Sequence, residues 1–237
     1  MSQYAITNLG WVLAAGTGSG KQLLTDANLS KWQAGDDAAL ADFSAKPYLN
    51  SVKGYLDPAG SYCLAACSLA LGKREAAAVR ELSGIVSVTR YGAPLSARKF
   101  HEQFAEKGPR FASPLIFPHG YANTAGNLAA IEFGFAGPHL VLQGRQDVRE
   151  ALDLALQRLE NGEADEMLVA AYEATDEISL PDGMAAHNGA IALRLAATDA
   201  EALLALDRNQ LWAIPAPDLE TGPVSALLAL LRALAGK

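Results

Sequence analysis

The stretch LAAGTGSGKQLL, residues 13–24, carries the residue types of a phosphate-binding loop. Such a loop reads G-x-x-x-x-G-K-[ST]: its glycines bare backbone N–H groups to phosphate, its lysine reaches the outer phosphates, and its hydroxyl holds Mg²⁺. Gly20 and Lys21 stand in place, but Ala15 occupies the opening glycine position and Gln22 the hydroxyl position. Two thiols are the next candidates. Cys63 and Cys67 lie four residues apart in SYCLAACSLAL, a spacing that puts both on one helix face. Embedded in alanine and leucine, they read as small core residues of a reduced, cytoplasmic protein, because burial disfavours the thiolate that nucleophilic or metal chemistry needs. No further thiol or imidazole stands beside them in sequence, so neither a metal nor a cofactor is expected. His101, His119, His139 and His187 are the four imidazoles.

The chain of 237 residues is half apolar and 19% charged, the balance of an ordinary globular protein. Nineteen basic against 26 acidic side chains leave a net charge of −7. That lacks the basic footprint of a nucleic-acid binder. MSQYAITNLG has neither a basic n-region nor a long apolar h-region, and no window reaches the roughly 18 apolar residues of a membrane span. No leader and no membrane contact are expected.

The elements that would position these residues alternate between strand and helix. YAITNLGWVLAA, broken by Gly10, predicts an irregular buried strand, followed by a polar segment over 16–53 with turns at Gly35-Asp36 and Lys46-Pro47. SYCLAACSLALGKREAAAV predicts a helix, and 84–92 a β-branched strand bounded by glycine. Helical spacing of Ala97, Phe100 and Phe104 predicts a helix over 96–108, and NTAGNLAAIEFG a second one. PHLVLQG follows as a strand. The best-marked helix runs over 147–162: Asp147 can cap it, Glu150 can complete the box, and Val148, Leu152, Ala155, Leu156 and Leu159 form its apolar stripe. EMLVAAYEA and GAIALRLA predict strands, QLWAIP a last strand, and 223–235 a last helix. The pattern is α/β, with no internal repeat and no long linker.

The middle of the chain resembles a β-ketoacyl synthase. In that family an S-P-x-x-F-P loop, an N-x-x-A-G stretch and an F-G-x-x-G-P turn precede a strand, the nucleophile and a helix. Here the matching residues are Ser113-Pro114, Phe117-Pro118, Asn123, Gly126, Phe133-Gly134 and Gly137-Pro138, with Gly162, Ala164, Asp165 and Glu173 further on. Order and spacing agree across about 65 residues. The resemblance implies a thiolase-like fold whose N-terminal βαβαβαββ half is largely present over 1–197. Residues 198–237 would be a remnant of a strongly truncated second half, packed on the same domain. It also reassigns the glycines around Gly18 to the bend that leaves the first strand.

A ketosynthase places its cysteine at the N-terminus of the helix after the G-P turn and strand, where the helix dipole favours thiolate. That position falls on Gln146, or on Arg145 with a one-residue shift, and neither can accept an acyl group. None of the four histidines stands in the context that the family's two assisting histidines occupy. The resemblance therefore implies a non-catalytic subunit, similar to the chain-length factors of type II polyketide systems, in polyketide or fatty-acid-like biosynthesis.

Such a subunit would form a heterodimer with a full-length β-ketoacyl synthase and meet acyl carrier protein through the complex. The strand HLVLQG would supply the dimer interface through His139, Val141, Leu142 and Gln143. The loop Leu115–Asn123 would enter the partner's acyl tunnel, presenting Leu115, Phe117, Pro118, His119 and Tyr121. A face left open by the missing half would need a partner to cover it. Two other readings stand beside this one: a Gln-type malonyl decarboxylase and a P-loop-like nucleotide binder.

Overall fold

The computed structural model describes residues 3–31, 40–51, 53–72, 78–176, 178, 180, 186–198 and 202–236. The turns anticipated at Gly35-Asp36 lie outside them. Five long strands make the frame: β1 (Tyr4–Leu13), β3 (Ser83–Thr89), β4 (His139–Gln143), β5 (Glu166–Glu173) and β6 (Gly189–Ala197). Across the sheet they run β1-β6-β5-β3-β4. β3 is parallel to both β4 and β5, whereas β6 is antiparallel to its neighbours β5 and β1. The short strands β2 (Gly16–Ser19) and β7 (Leu204–Leu206) share the far side of β1, each pairing antiparallel with one end of it. At the other end of the sheet lies β4.

Helices cover both faces. α2 (Pro58–Leu71) and α4 (Thr124–Phe133) pack on one, and α5 (Val148–Glu160) and α7 (Pro223–Ala235) on the other. The period-2 alternation of the strands divides their side chains accordingly: Met167, Val169 and Ala171 of β5 face α5 and α7, whereas Leu168, Ala170 and Tyr172 face α2. The α2 side is built from small residues, so the helix lies close. A Cβ on Gly10 would sit 2.3 Å from the carbonyl oxygen of Ala66. Gly10 is thus the seat of α2 as well as the break in β1. Asn8, next to a register irregularity in β1, donates to the carbonyls of Leu69 and Ala70 at the end of α2.

Several boundaries differ from expectation. α2 starts at Pro58 with Asp57 as its cap and stops at Gly72, whose φ of 78° ends the helix. The glycine-rich stretch does not simply bend away. Residues 16–19 return as β2, paired with 10–13, and the indole of Trp11 lies over Gly18. QLWAIP is not a strand. Asp207 accepts from the Gln210 N–H and starts the helical turn α6 (Arg208–Trp212), and the final strand is the preceding β7.

The face that carries α5 is covered further by the last helix. α7 buries Val224, Leu227, Leu228, Leu230, Leu231 and Leu234 beside α5. The positions of α5 outside its buried stripe are polar, Leu154 apart, and ion pairs occupy them: Arg208 with Asp153 at 2.5 Å, Arg158 with Glu163 at 2.7 Å.

Candidate functional site

β3, β4 and β5 end beside the N-terminus of α5, the place to which the sequence resemblance assigns Gln146. Asp147 accepts from the Arg149 N–H at 2.9 Å and caps α5. Instead of a return bond from Glu150, the Arg149 guanidinium grips the Asp147 carboxylate, donates to the Ile214 carbonyl at 2.7 Å and stacks under Trp212 at 4.7 Å. Gln146 precedes the cap and is half-buried; Arg145 is exposed. Gln146 faces a cavity of about 10 Å³, shared with Arg90, Leu219 and Pro223. No imidazole and no thiol lines it.

Behind this cavity, fully buried Glu173 organises the end of β3. Its carboxylate accepts from the Arg90 N–H at 2.9 Å, from the Tyr91 N–H at 3.3 Å and from the Thr89 hydroxyl at 3.3 Å. Burial outweighs these donors and lifts its pKa to about 7. Arg90 then points one guanidinium nitrogen at the carbonyls of Leu219 and Glu220, 3.2 and 2.8 Å away. Sequence reasoning missed Arg90; its signal was an arginine closing a β-branched run directly before Tyr91-Gly92.

The thiols are elsewhere. Cys63 and Cys67 are fully buried in α2, across the sheet from α5. The contact with Cys67, together with burial, pushes the Cys63 thiol well above its ordinary pKa. Lys21 is exposed before the single-turn α1 (Gln22–Thr25), and the hairpin that precedes it leaves no loop to wrap a phosphate.

The loop after α3 (Pro94–Lys107) lies across that helix. Ile116 is its buried anchor, Gly120 seats against Ala97, and Tyr172 donates to the Ala122 carbonyl at 2.7 Å where the loop ends. Phe117 and Tyr121 meet edge to face at 5.1 Å and remain about half exposed, 47% and 50%. Leu115 and Pro118 are exposed too. His119 behaves differently: it is half-buried, and its Nδ1 is enclosed near the buried Asp57. Asp57 accepts from N–H groups in the first turns of both α2 and α3, Ala59 and Ser96 at 2.9 Å each, and burial raises its pKa.

Among the described residues β4 is paired on one side only. Along it His139 and Gln143 are exposed, and Leu140, Val141 and Leu142 are half-buried, whereas every residue of the adjacent β3 is buried. The His139 ring reaches inward over Gly126, where a Cβ would come within 3.0 Å of its Nε2. Burial lowers the His139 pKa.

Among the described residues no helix is long and apolar enough to cross a membrane, and no three His, Cys, Asp or Glu side chains gather as a metal site. No family model and no curated protein matches the sequence. Solved structures do. The ishigamide ketosynthase/chain length factor matches with a TM-score of 0.64 at 20% identity, over 92% of this chain and 64% of that one. A ketosynthase in complex with its chain length factor from Xenorhabdus doucetiae matches with a TM-score of 0.58 at 14% identity, over 100% of this chain and 93% of that one. A type II polyketide acyl-carrier protein in complex with its hexaketide-bound ketosynthase (AntDE:AntF) gives 0.58 at 14%, over 83% and 63%. The fold is therefore the thiolase-like α/β fold of ketosynthases, and the chain spans just under two thirds of the length of two of these three structures.

Proposed function

We propose that this chain is a non-catalytic ketosynthase-like subunit that pairs through β4 with a full-length β-ketoacyl synthase. In that pair the loop Leu115–Asn123 limits, by steric exclusion, how far the partner's acyl chain extends, and acyl carrier protein is met through the complex. The observation that carries the reading is Gln146 at the capped N-terminus of α5. Where the sequence resemblance puts a ketosynthase's thiolate this chain has an amide, and both thiols are buried on the opposite face of the sheet. The open edge at β4 and the aromatic loop supply the surfaces that such a subunit needs.

Neither competing reading finds support of this kind. A decarboxylase would want imidazole at the cavity of Gln146, and none lines it. A nucleotide binder would want a phosphate loop, and the glycines are spent on a hairpin. Incubation with acyl- and malonyl-carrier protein, followed by intact-mass spectrometry, tests the claim of inertness. The expected result is an unchanged protein mass and no carbon dioxide release. An acyl adduct on Cys63 or Cys67, or malonyl decarboxylation, would overturn it.

A further inference from the structure

The cavity at Gln146 is small for a reason that lies in the chain's last quarter. Gly222, with a φ of 94°, turns the backbone into α7, and Leu219, Gly222 and Pro223 line the cavity opposite Gly144, Arg145 and Gln146. The turn is tied down at several points. Arg90, only 7% exposed, donates to the carbonyls of Leu219 and Glu220, and Gly222 N–H donates back to Leu219 at 3.1 Å. The Thr221 and Ser225 hydroxyls bond at 2.7 Å, and the Thr221 carbonyl accepts from His187 N–H at 2.9 Å. The space left, about 10 Å³, admits one water.

We infer that the segment Leu219–Pro223, latched by Arg90, is a built-in plug of this subunit's own acyl site. The chain then holds no acyl group at position 146 even when a thiol is placed there, so any control of length comes from the loop at residues 115–121. The inference rests on the reading of position 146 given above. It differs in what it requires: a site closed by backbone, beyond the mere loss of a nucleophile. Arg90 is a positioning residue here, acting on the segment through two carbonyls.

Thiol labelling tests the plug on the full chain, without any partner. Gln146→Cys and, as an exposed α5 residue outside the cavity lining, Glu150→Cys are each treated with iodoacetamide and with N-octyl iodoacetamide. In both reactions the thiolate sulfur displaces iodide from the methylene carbon, and the thiol proton goes to buffer. A site with room for an acyl chain speeds the octyl reagent; a plugged site does not. The expected octyl-to-plain rate ratio is the same for both variants within about twofold, and Arg90→Met raises it for Gln146→Cys alone. An octyl preference of about tenfold or more for Gln146→Cys, with Arg90 intact, would overturn the plug. If Arg90→Met does not fold, the comparison of the two single cysteine variants still decides the matter. Co-purification with a ketosynthase is untouched by either outcome, so failure here is distinguishable from failure of the pairing.

Discussion

Ser87 and Val141 stand side by side in the parallel register of β3 and β4, yet Ser87 is fully buried and Val141 only half-buried. Among the described residues β3 has strands on both sides, and β4 has one. A strand left with unpaired backbone groups is a template for another chain. Arginine at position 141 would place an unpaired charge in an interface formed there, at a cost of several kcal/mol. Val141→Arg is expected to leave the thermal unfolding of the free subunit within about 1 kcal/mol of wild type. In size-exclusion chromatography with a ketosynthase partner, the variant should elute as the free subunit; co-elution at wild-type levels would argue against β4 as the interface.

Glu173 makes stability depend on pH in a definite direction. Its carboxyl titrates near 4.5 when unfolded and at about 7 in the fold, so the native state binds the proton more tightly. The contribution is present in full below the lower value and is lost as pH rises through about 7, on the order of 3 kcal/mol in total. Urea unfolding at about pH 5 and about pH 8 should show this loss in the wild type and not in Glu173→Gln. The same pH dependence in both proteins would mean that Glu173 is ionised throughout.

Gly10 has no room for a methyl group. A Cβ there would meet the Ala66 carbonyl oxygen at 2.3 Å and the Ala70 nitrogen at 2.4 Å, both backbone atoms of α2. Gly10→Ala is expected to cost about 3 kcal/mol, read as a lowered urea midpoint. A change under about 0.5 kcal/mol would show that α2 can move away from β1.

How far the sequence could be read follows from which forces are local. The 147–162 helix announced itself through a cap and an apolar stripe, both local, and Asp147 and the stripe sit as expected. The order of the strands was not legible, because pairing partners far apart in sequence leave no local trace. β2 escaped because its glycines lack strand propensity and pair only through the backbone of β1. QLWAIP misled because its apolar residues look strand-like, whereas Asp207, three residues before Gln210, accepts from the Gln210 N–H and caps a helical turn. His119 turned inward toward Asp57, a contact between residues 62 apart that no spacing rule reveals. Arg90 and the 219–223 turn belong to the same class.

Lys21 should be dispensable. It is exposed at the start of a single helical turn, and no phosphate cradle surrounds it. Lys21→Ala is expected to shift stability by less than about 0.5 kcal/mol. Fluorescent ATP-analogue titration with Mg²⁺ should show no saturable binding in either protein; binding that Lys21→Ala abolishes would revive the nucleotide reading.

The central claim is that the loop of this subunit measures a chain built by another. Phe117 and Tyr121 present the loop's half-exposed aromatic pair, and neither is part of the buried core. The most direct measurement is the product length distribution made by the co-purified pair of this chain and its ketosynthase, compared with pairs carrying Phe117→Ala or Tyr121→Ala. Removing the bulk should lengthen the longest product by at least one extension unit while the pair stays intact. A distribution unchanged by both substitutions, in pairs that still co-purify, would contradict the account.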